Sequence, residues 1–364
     1  MSRDSVTVAE IKAGLIGRCP GLLRDLVPGL RREGNVYGAP NPTRPGKKNG
    51  SFKVWPTGNF RAYDESEDTG KGDILGLIAY LGGHHPRTRE GRRYALQWAR
   101  RELGLDTRDP ERAAVVKRQA QAASQAAAEA EEKRAGFKRR RVVEIRAGCL
   151  TLASPQASIV HRYLAGRGLD WRAIAQPTVG ALGVHPRLTH WAMPEGKVWS
   201  GPAMVATIQT PGGPAGLHAT FLAEDARGVT KAPVPKPKLM LGEVKGGVAP
   251  LSLGPRGRTI SECAAAGEPE DVILCEGIET GLALAMAIPE ARVWACLSLG
   301  NIGHAPVGHA GVRAIIVALE NDLKPAALAA RAEMLDALAR WGKPVSTMAS
   351  HVGSDFADLM KEGM

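Results

Sequence analysis

The feature that most constrains the fold is an alternation of short apolar runs and helical segments across residues 271–364. The apolar runs DVILC, RVWAC, VRAIIVAL and PVSTMA have the length and composition of buried strands. Between them, helices are predicted over Glu279–Ala287 and from Pro325, which suits a first helical turn, to Gly342. The inner stripe predicted for the second helix is Leu328, Ala332, Leu335 and Ala339. Strands that alternate with helices form a mostly parallel sheet, so we predict an α/β domain here.

Acidic side chains follow three of the four predicted strands. Glu276 follows the first strand, the pair Glu320 and Asp322 follows the third, and Asp355 and Asp358 lie in the loop after the fourth. Ligands of such sheets bind at the carboxyl ends of the strands, where clustered carboxylates repel one another unless a cation is present. Mg²⁺ or Mn²⁺ prefers oxygen ligands, and two such ions can hold a nucleoside triphosphate and activate a 3′-hydroxyl. Taken singly, each acid could instead favour a helix N-terminus.

The positive charge of the chain is concentrated in its N-terminal part. Residues 1–150 carry 29 Lys and Arg against 18 Asp and Glu, whereas residues 151–364 carry 19 of each, so the net charge of +11 belongs to the first part. This distribution suits binding of a polyanion. A basic surface that serves only solubility is the alternative.

The remainder of the chain is predicted to form a small α+β module, a linker and a β-rich subdomain. SFKVW and FRAY, joined by the turn PTGN, predict a hairpin, and Asp73 can cap the helix that follows. A basic, Ala-rich segment then predicts an exposed helical linker. The predicted boundaries are 1–107 for the module, 108–148 for the linker, 149–268 for the subdomain and 269–364 for the α/β domain.

In the predicted hairpin, basic and aromatic residues alternate. Lys53 and Trp55 share one face, as do Arg61 and Tyr63, and a surface of this kind can stack bases and hold the phosphates of single-stranded DNA. Ordinary packing of these side chains is the alternative.

Cysteine usage and hydropathy exclude several classes of protein. The five cysteines are scattered and form no CxxC pair, which argues against a disulfide framework and a zinc ribbon. No apolar run approaches the length of a membrane span, and MSRDSVTVAEIK has no apolar signal core. We therefore expect a cytoplasmic protein without a membrane partner.

Three segments of the C-terminal part, VILCEGIET, IIVALEND and GSDFADLM, resemble the Toprim domain of bacterial-type DNA primases, type IA and type II topoisomerases and some nucleases. The likeness is strongest to Toprim primase-like proteins of phages, plasmids and other mobile genetic elements. HRYLAGRGL, the stretch from GLHATF to GEVKGG, and WACLSLGNI look like the section that precedes and enters the Toprim domain in that group. The segment from NPTRPG to AYLGG looks like the zinc-binding module of primases without its Cys and His ligands. The resemblance implies a Rossmann-like Toprim fold preceded by a β-rich primase-core-like subdomain and a metal-free module.

The resemblance also implies roles for individual residues. Glu276 would be a metal ligand or general acid/base, Glu320 and Asp322 would be the paired acids, and Asp355 the third-motif acid, with Asp358 a weaker candidate. The pair is usually Asp-x-Asp, so Glu320 departs from the pattern. Basic residues of the middle section would face the template and nucleotide phosphates, with His218 in the same groove; these are Lys231, Lys236, Lys238 and Lys245.

We therefore expect a DNA primase-type nucleotidyltransferase that makes primers on single-stranded DNA from NTPs, with Mg²⁺ or Mn²⁺ and without zinc. No GxxxxGK[ST] motif is present, so a replicative helicase would be a separate protein. Two alternatives remain: a Toprim metal-dependent nuclease, and a single-stranded DNA-binding replication factor whose metal site has decayed. A topoisomerase is disfavoured because no tyrosine-bearing module is recognisable.

Overall fold

The computed structural model describes residues 6–43, 52–62, 70–105, 109–226, 228–321, 324–350 and 356. The chain divides into two compact units, 1–134 and 135–364. None of the helices in these ranges is long and apolar enough to cross a membrane.

The N-terminal unit packs helices against an antiparallel sheet. Its shorter helices are α1 (Val8–Ile16), α2 (Gly21–Leu26), α3 (Ile74–Leu81) and α4 (Arg89–Glu102). Its strands follow chain order in the sheet and are β1 (Arg31–Glu33), β2 (Val36–Ala39), β3 (Phe52–Val54), β4 (Phe60–Ala62) and β5 (Lys71–Gly72). The predicted hairpin is β3–β4, whose turn contains Gly58 at a positive φ of 76°. Asp73 caps α3 as predicted, accepting a hydrogen bond from the N–H of Gly76 at 2.9 Å.

The predicted helical linker is helix α5 (Pro110–Ala147), which extends from one unit into the other. Its two ends have different surroundings. Val116 packs in a core cluster with α1, α3 and α4, whereas Val142 and Ile145 pack against the sheet that follows. Between these ends its side chains are largely exposed, as the Ala-, Gln- and Glu-rich sequence predicts.

A second antiparallel sheet fills the middle of the chain. Its strands are β6 (Leu150–Thr151), β7 (Leu182–Thr189), β8 (Ser200–Thr210), β9 (Gly213–Asp225), β10 (Gly228–Lys231) and β11 (Lys238–Gly242). The order is β10-β9-β8-β7-β6, and β11 pairs with β9. Helix α6 (Ser158–Ala165) covers one face. The β-rich subdomain predicted before the α/β domain is therefore confirmed.

The C-terminal region is the predicted α/β domain with a mostly parallel sheet. Its strands are β12 (Ala249–Pro250), β13 (Glu270–Cys275), β14 (Arg292–Ala295), β15 (Val312–Leu319) and β16 (Val345–Ala349). Its helices are α7 (Ile260–Ala265), α8 (Ile278–Ala287), α9 (Leu299–Ile302) and α10 (Pro325–Ala339). The order is β12-β14-β13-β15-β16, with β12 as the antiparallel edge. The predicted mixed α/β fold is therefore confirmed.

Helix α8 connects the parallel sheet to the middle sheet through one shared core. Leu282 and Leu284 of α8 belong to the same buried cluster as Val293 of β14, Met204 of β8 and Val160 of α6. Burial of several such side chains stabilises this arrangement by about 1.5–3 kcal/mol each. The residues at the start of α8 are therefore held between the two sheets.

Candidate active site

Glu276 immediately follows β13 and is held by the loop after β14. Its main-chain oxygen accepts a hydrogen bond of 2.7 Å from the N–H of Leu297, a non-glycine residue in the left-handed conformation with φ of 72°. Its carboxylate accepts the N–H of Leu299 at the start of α9. Partial burial raises the pKa of Glu276, and the Leu299 N–H opposes this effect. The carboxyl group is thus fixed in position at the carboxyl edge of the parallel sheet.

Glu320 follows the neighbouring parallel strand. In the pairing of β13 with β15, Leu274 lies opposite Val317, so Glu276 and Glu320 leave the sheet at nearly the same level. Both carboxylates raise the pKa of the Cys275 thiol, although burial is the larger cause. The side chain of Arg331 in α10 donates a hydrogen bond to the main-chain oxygen of Glu320. Two of the predicted acids therefore lie near the same buried thiol.

The other three predicted acids, Asp322, Asp355 and Asp358, lie outside the described residues. The chain segments that lead to them are joined, because the side-chain amide of Asn321 donates a hydrogen bond of 2.9 Å to the main-chain oxygen of Ser350. β15 and β16 thus end side by side, as the parallel register Leu319↔Ala349 requires.

The acids present suit a hard divalent cation. Glu276 and Glu320 offer carboxylate oxygens, which Mg²⁺ and Mn²⁺ prefer. A bound cation would also offset the cost of burying the negative charge of Glu276. In the ranges that the structure describes, no three His, Cys, Asp or Glu side chains form a group able to hold a metal ion.

Glu279, in the first turn of α8 and three residues after Glu276, is a buried charged residue that the sequence did not single out. Its carboxylate accepts hydrogen bonds of 2.9 Å from Nζ of Lys238 in β11 and 2.9 Å from the hydroxyl of Tyr163 in α6. Burial would raise its pKa, but Lys238 and Tyr163 outweigh burial and lower the pKa to about 2. Glu279 is therefore an anion that fixes the amine of Lys238 beside the start of α8.

Further polar groups surround this ion pair. In the strand register, Lys231 of β10 lies opposite Leu222 of β9, and Lys238 of β11 lies opposite Thr220 of β9. Burial and the nearby charge of Lys238 lower the pKa of Lys231. The charge of Arg167 works to lower the pKa values of both Lys231 and Tyr163. The buried Nε of Arg167 has no hydrogen-bond partner in the described part of the chain. Three cations thus gather around a single buried carboxylate, which leaves an excess of positive charge.

His218 faces the same group, but as a neutral residue. It is only 7% exposed, and burial together with Lys238 lowers its pKa to about 4. Its Nδ1 has no hydrogen-bond partner among the described residues. At neutral pH His218 therefore carries no positive charge, so any contact with a phosphate would have to be a neutral hydrogen bond.

Lys236 and Lys245 are exposed and are positioned by their neighbours. The main-chain oxygen of Lys236 lies 2.8 Å from Nε2 of the buried His190. The loop containing Lys245 is fixed by Asn301, whose side chain accepts from the N–H of Gly246 and donates to Gly247 and Cys296. Asn301 belongs to α9, the helix whose first N–H binds Glu276. The Lys245 loop and the acid are therefore attached to the same short helix.

In the N-terminal unit, the structure separates the two faces of the predicted hairpin. Phe52, Val54 and Phe60 are buried, while Lys53 and Arg61 lie opposite each other on the other face. Lys53 also forms an ion pair of 3.5 Å with Glu33. Trp55 is 36% exposed just after β3. Tyr63 lies outside the described residues.

Comparison with known proteins identifies two regions. Residues 271–363 match the Toprim domain, and residues 138–251 match a domain of unknown function (DUF7146). No curated protein matches the chain. The parallel α/β domain that carries Glu276 and Glu320 is thus a Toprim domain, as the resemblance predicted.

Three solved structures are similar in outline. The zinc-binding and RNA polymerase domains of the Aquifex aeolicus primase match at 15% identity and a TM-score of 0.37, over 96% of this chain and 82% of that one. A DNA primase domain from Pseudomonas aeruginosa matches at 16% and 0.37, over 58% and 70%. The DnaG catalytic core matches at 16% and 0.38, over 63% and 75%.

Proposed function

We propose that this chain is a primase-type nucleotidyltransferase that joins NTPs into primers on single-stranded DNA. The observation that carries the proposal is the arrangement of the Toprim domain: Glu276 and Glu320 follow neighbouring parallel strands, and Glu279, which forms an ion pair with Lys238, lies three residues after Glu276. A nucleotidyl transfer needs carboxylates to hold cations and cations to hold a triphosphate, and these two groups supply both.

In this proposal, Glu276, Glu320, Asp322, Asp355 and Asp358 hold Mg²⁺ or Mn²⁺. The bound ions would neutralise the triphosphate and activate the 3′-hydroxyl of the growing primer. Lys238, held in place by Glu279, binds the nucleotide phosphates together with Lys231 and Arg167, while Lys236, Lys245 and His218 contact the template or the nucleotide. Glu276, whose pKa is raised by burial, is suited to accept a proton near the reacting hydroxyl.

The proposal assigns one task to each segment of the chain. Residues 1–107 hold the template through Lys53, Trp55, Arg61 and Tyr63, without zinc, and the helical segment 108–148 connects this module to the rest. Residues 149–268 guide the template and bind phosphates, and residues 269–364 hold the metals. We further propose, from the sequence resemblance alone, a cytoplasmic role in replication of a phage, plasmid or other mobile element, with a helicase supplied by a separate protein.

The test is primer synthesis on single-stranded DNA with labelled NTPs and Mg²⁺ or Mn²⁺. Glu276→Gln keeps the shape of the side chain and removes its charge, and we expect it to lower the rate by at least about 100-fold. Glu290→Gln, at an exposed position of the same domain, is the matched control and should retain full activity.

The same proteins, incubated with DNA and metal but without NTPs, separate the rival functions. Cleavage that disappears in Glu276→Gln would replace the primase proposal with a nuclease. If wild type and Glu276→Gln show neither activity but bind single-stranded DNA equally, the chain is a binding factor instead.

A further inference from the structure

The N-terminal unit contains a cavity of about 640 Å³ that the proposed active site does not use. It lies between helices α1, α3 and α4 and strand β5. Its lining within the described part of the chain includes four cationic side chains and one carboxylate, namely Lys12, Lys71, Arg87, Arg92 and Asp73. Its apolar wall includes Leu75 and Leu96. The volume is within the range of small-molecule sites, which is about 300–1,000 Å³.

Helical spacing explains how apolar and cationic groups come to share this cavity. Val8 and Lys12 are four residues apart on α1, and Arg92 and Leu96 are four residues apart on α4. Residues at this spacing lie on the same face of a helix. Each of the two helices therefore presents one apolar and one cationic side chain to the cavity.

The carboxylate among the described lining residues, Asp73, is already engaged. Asp73 caps α3 and forms an ion pair with Lys12, and these contacts outweigh burial and lower its pKa. The guanidinium of Arg92, by contrast, has no hydrogen-bond or ion-pair partner among the described residues. Within the described lining, cations thus outnumber the carboxylate, which favours an anionic ligand.

The cavity also lies at the end of a row of cations on the exposed face of the sheet. In the strand register, Lys53 of β3 lies opposite Arg61 of β4, and Arg61 lies opposite Lys71 of β5. Directly opposed residues on antiparallel strands lie about 4.5–5.5 Å apart, so the three side chains form a continuous row. Lys71 belongs to both the row and the cavity wall.

We propose that this cavity binds a phosphorylated nucleotide. The phosphates contact Arg92, Arg87 and Lys71, and the sugar and base pack on the apolar wall formed by Leu75 and Leu96. A fully polar anion would gain nothing from that wall, whereas a nucleotide has both a charged and an apolar part. The site needs no divalent metal and lies within the N-terminal unit, so it is independent of the proposed Toprim chemistry. The nucleotide comes either from a strand held on the row of cations or from a free nucleoside triphosphate.

The test measures binding to the full-length chain in the presence of a chelator, which removes metal-dependent binding at the Toprim domain. Three probes are compared: ATP, inorganic triphosphate and single-stranded oligothymidylate. The test variant is Arg87→Gln with Arg92→Gln. Its matched control is Arg89→Gln with Arg93→Gln, which removes the same charge from the same stretch of chain but outside the cavity wall.

We expect the test variant, and not the control, to bind at least one of the two nucleotide probes about tenfold more weakly. Loss confined to oligothymidylate identifies the strand as the source, and loss of ATP binding identifies a free nucleotide. Equal affinities of the two double variants for both nucleotide probes would overturn the proposal. So would inorganic triphosphate binding as tightly as the nucleotide, because the apolar wall would then have no part. If Arg87→Gln with Arg92→Gln lowers the thermal unfolding midpoint, the binding measurements are repeated with the single variant Arg92→Gln, which changes an exposed position.

Discussion

Glu279 is where the chemistry of a single residue most affects the proposed site. Its carboxylate is 4% exposed and accepts hydrogen bonds from Lys238 and Tyr163. Glu279→Gln retains the shape but removes the charge, which leaves Lys238 without its counterion. Because the side chain of Lys238 is 36% exposed, water replaces part of the lost interaction, and we expect a loss of about 1–3 kcal/mol in the free energy of unfolding. Urea unfolding measures it, with Glu290→Gln as the exposed control; equal values for the two variants would show that the ion pair is dispensable.

His218 gives a prediction about pH. Its pKa in the folded protein is about 4, below the value of about 6.5 expected in the unfolded chain. The unfolded chain therefore binds the proton more tightly, so this residue's contribution to stability is present above pH 6.5 and is lost as pH falls towards 4. Over that range the wild type should lose about 3 kcal/mol from this residue alone.

Replacement with a non-titrating residue of similar polarity, His218→Gln, should flatten this part of the stability profile. Unfolding midpoints in urea between pH 7 and pH 4 measure the effect. Glu279 and other carboxylates with a lowered pKa also contribute to the slope near pH 4, where the unfolded chain takes up their protons, but they are the same in both proteins, so the difference between the two slopes belongs to His218. An unchanged slope in the variant would mean that His218 is not a neutral buried residue.

At the scale of elements, the position of α8 depends on close contact at Gly281. A Cβ there would lie 2.5 Å from Cδ1 of Leu251 and 2.9 Å from Sγ of Cys275. We expect Gly281→Ala to push α8 away from β13, to cost about 1–3 kcal/mol, and to lower activity by displacing Glu279 and Glu276. Gly300→Ala in α9 is the control, because its Cβ would meet nothing within 4 Å. Denaturation and activity assays on both variants test this, and equal behaviour of the two would refute the close-packing argument.

The sequence predicted elements well where the pattern was strong and poorly where composition obscured it. The strands of the Toprim domain were recognisable from their apolar runs, three of which are followed by acids. The stripe Leu328, Ala332, Leu335 and Ala339 was wrong as the inner face of α10: Met334 and Leu338 are buried, while Leu328 is 46% exposed. Alanine occurs on every side of this helix, so no apolar stripe stands out.

Two other features had weak signals in the sequence. Strand β7 contains Pro186 at a register shift between His185 and Leu188, and proline within an apolar run argues against a strand. Glu279 was not singled out from the sequence, because an acid in the first turn of a helix is common on account of the helix dipole. Its burial depends on Lys238 and Tyr163, which are 41 and 116 residues away in the chain, and one sequence does not show such contacts.

At the scale of the whole molecule, the uneven distribution of charge predicts how DNA binding should depend on salt. The positive excess lies in residues 1–150, where the row Lys53, Arg61 and Lys71 crosses the sheet. Each phosphate neutralised by a cation on a single strand contributes about −0.7 to the slope of log K against log salt, because counterions are released. Replacing both Lys53 and Arg61 with Gln should therefore make the slope less negative by up to about 1.4.

The matched control replaces Lys133 and Arg134 with Gln on the exposed part of α5. It removes the same charge from the same part of the chain without touching the row. If the positive excess acts only as a diffuse field, both double variants should change the slope equally. A change confined to the sheet variant would show that the phosphates contact the row itself, since counterion release follows local contacts more closely than net charge. Titrations with oligothymidylate at several salt concentrations distinguish the two cases.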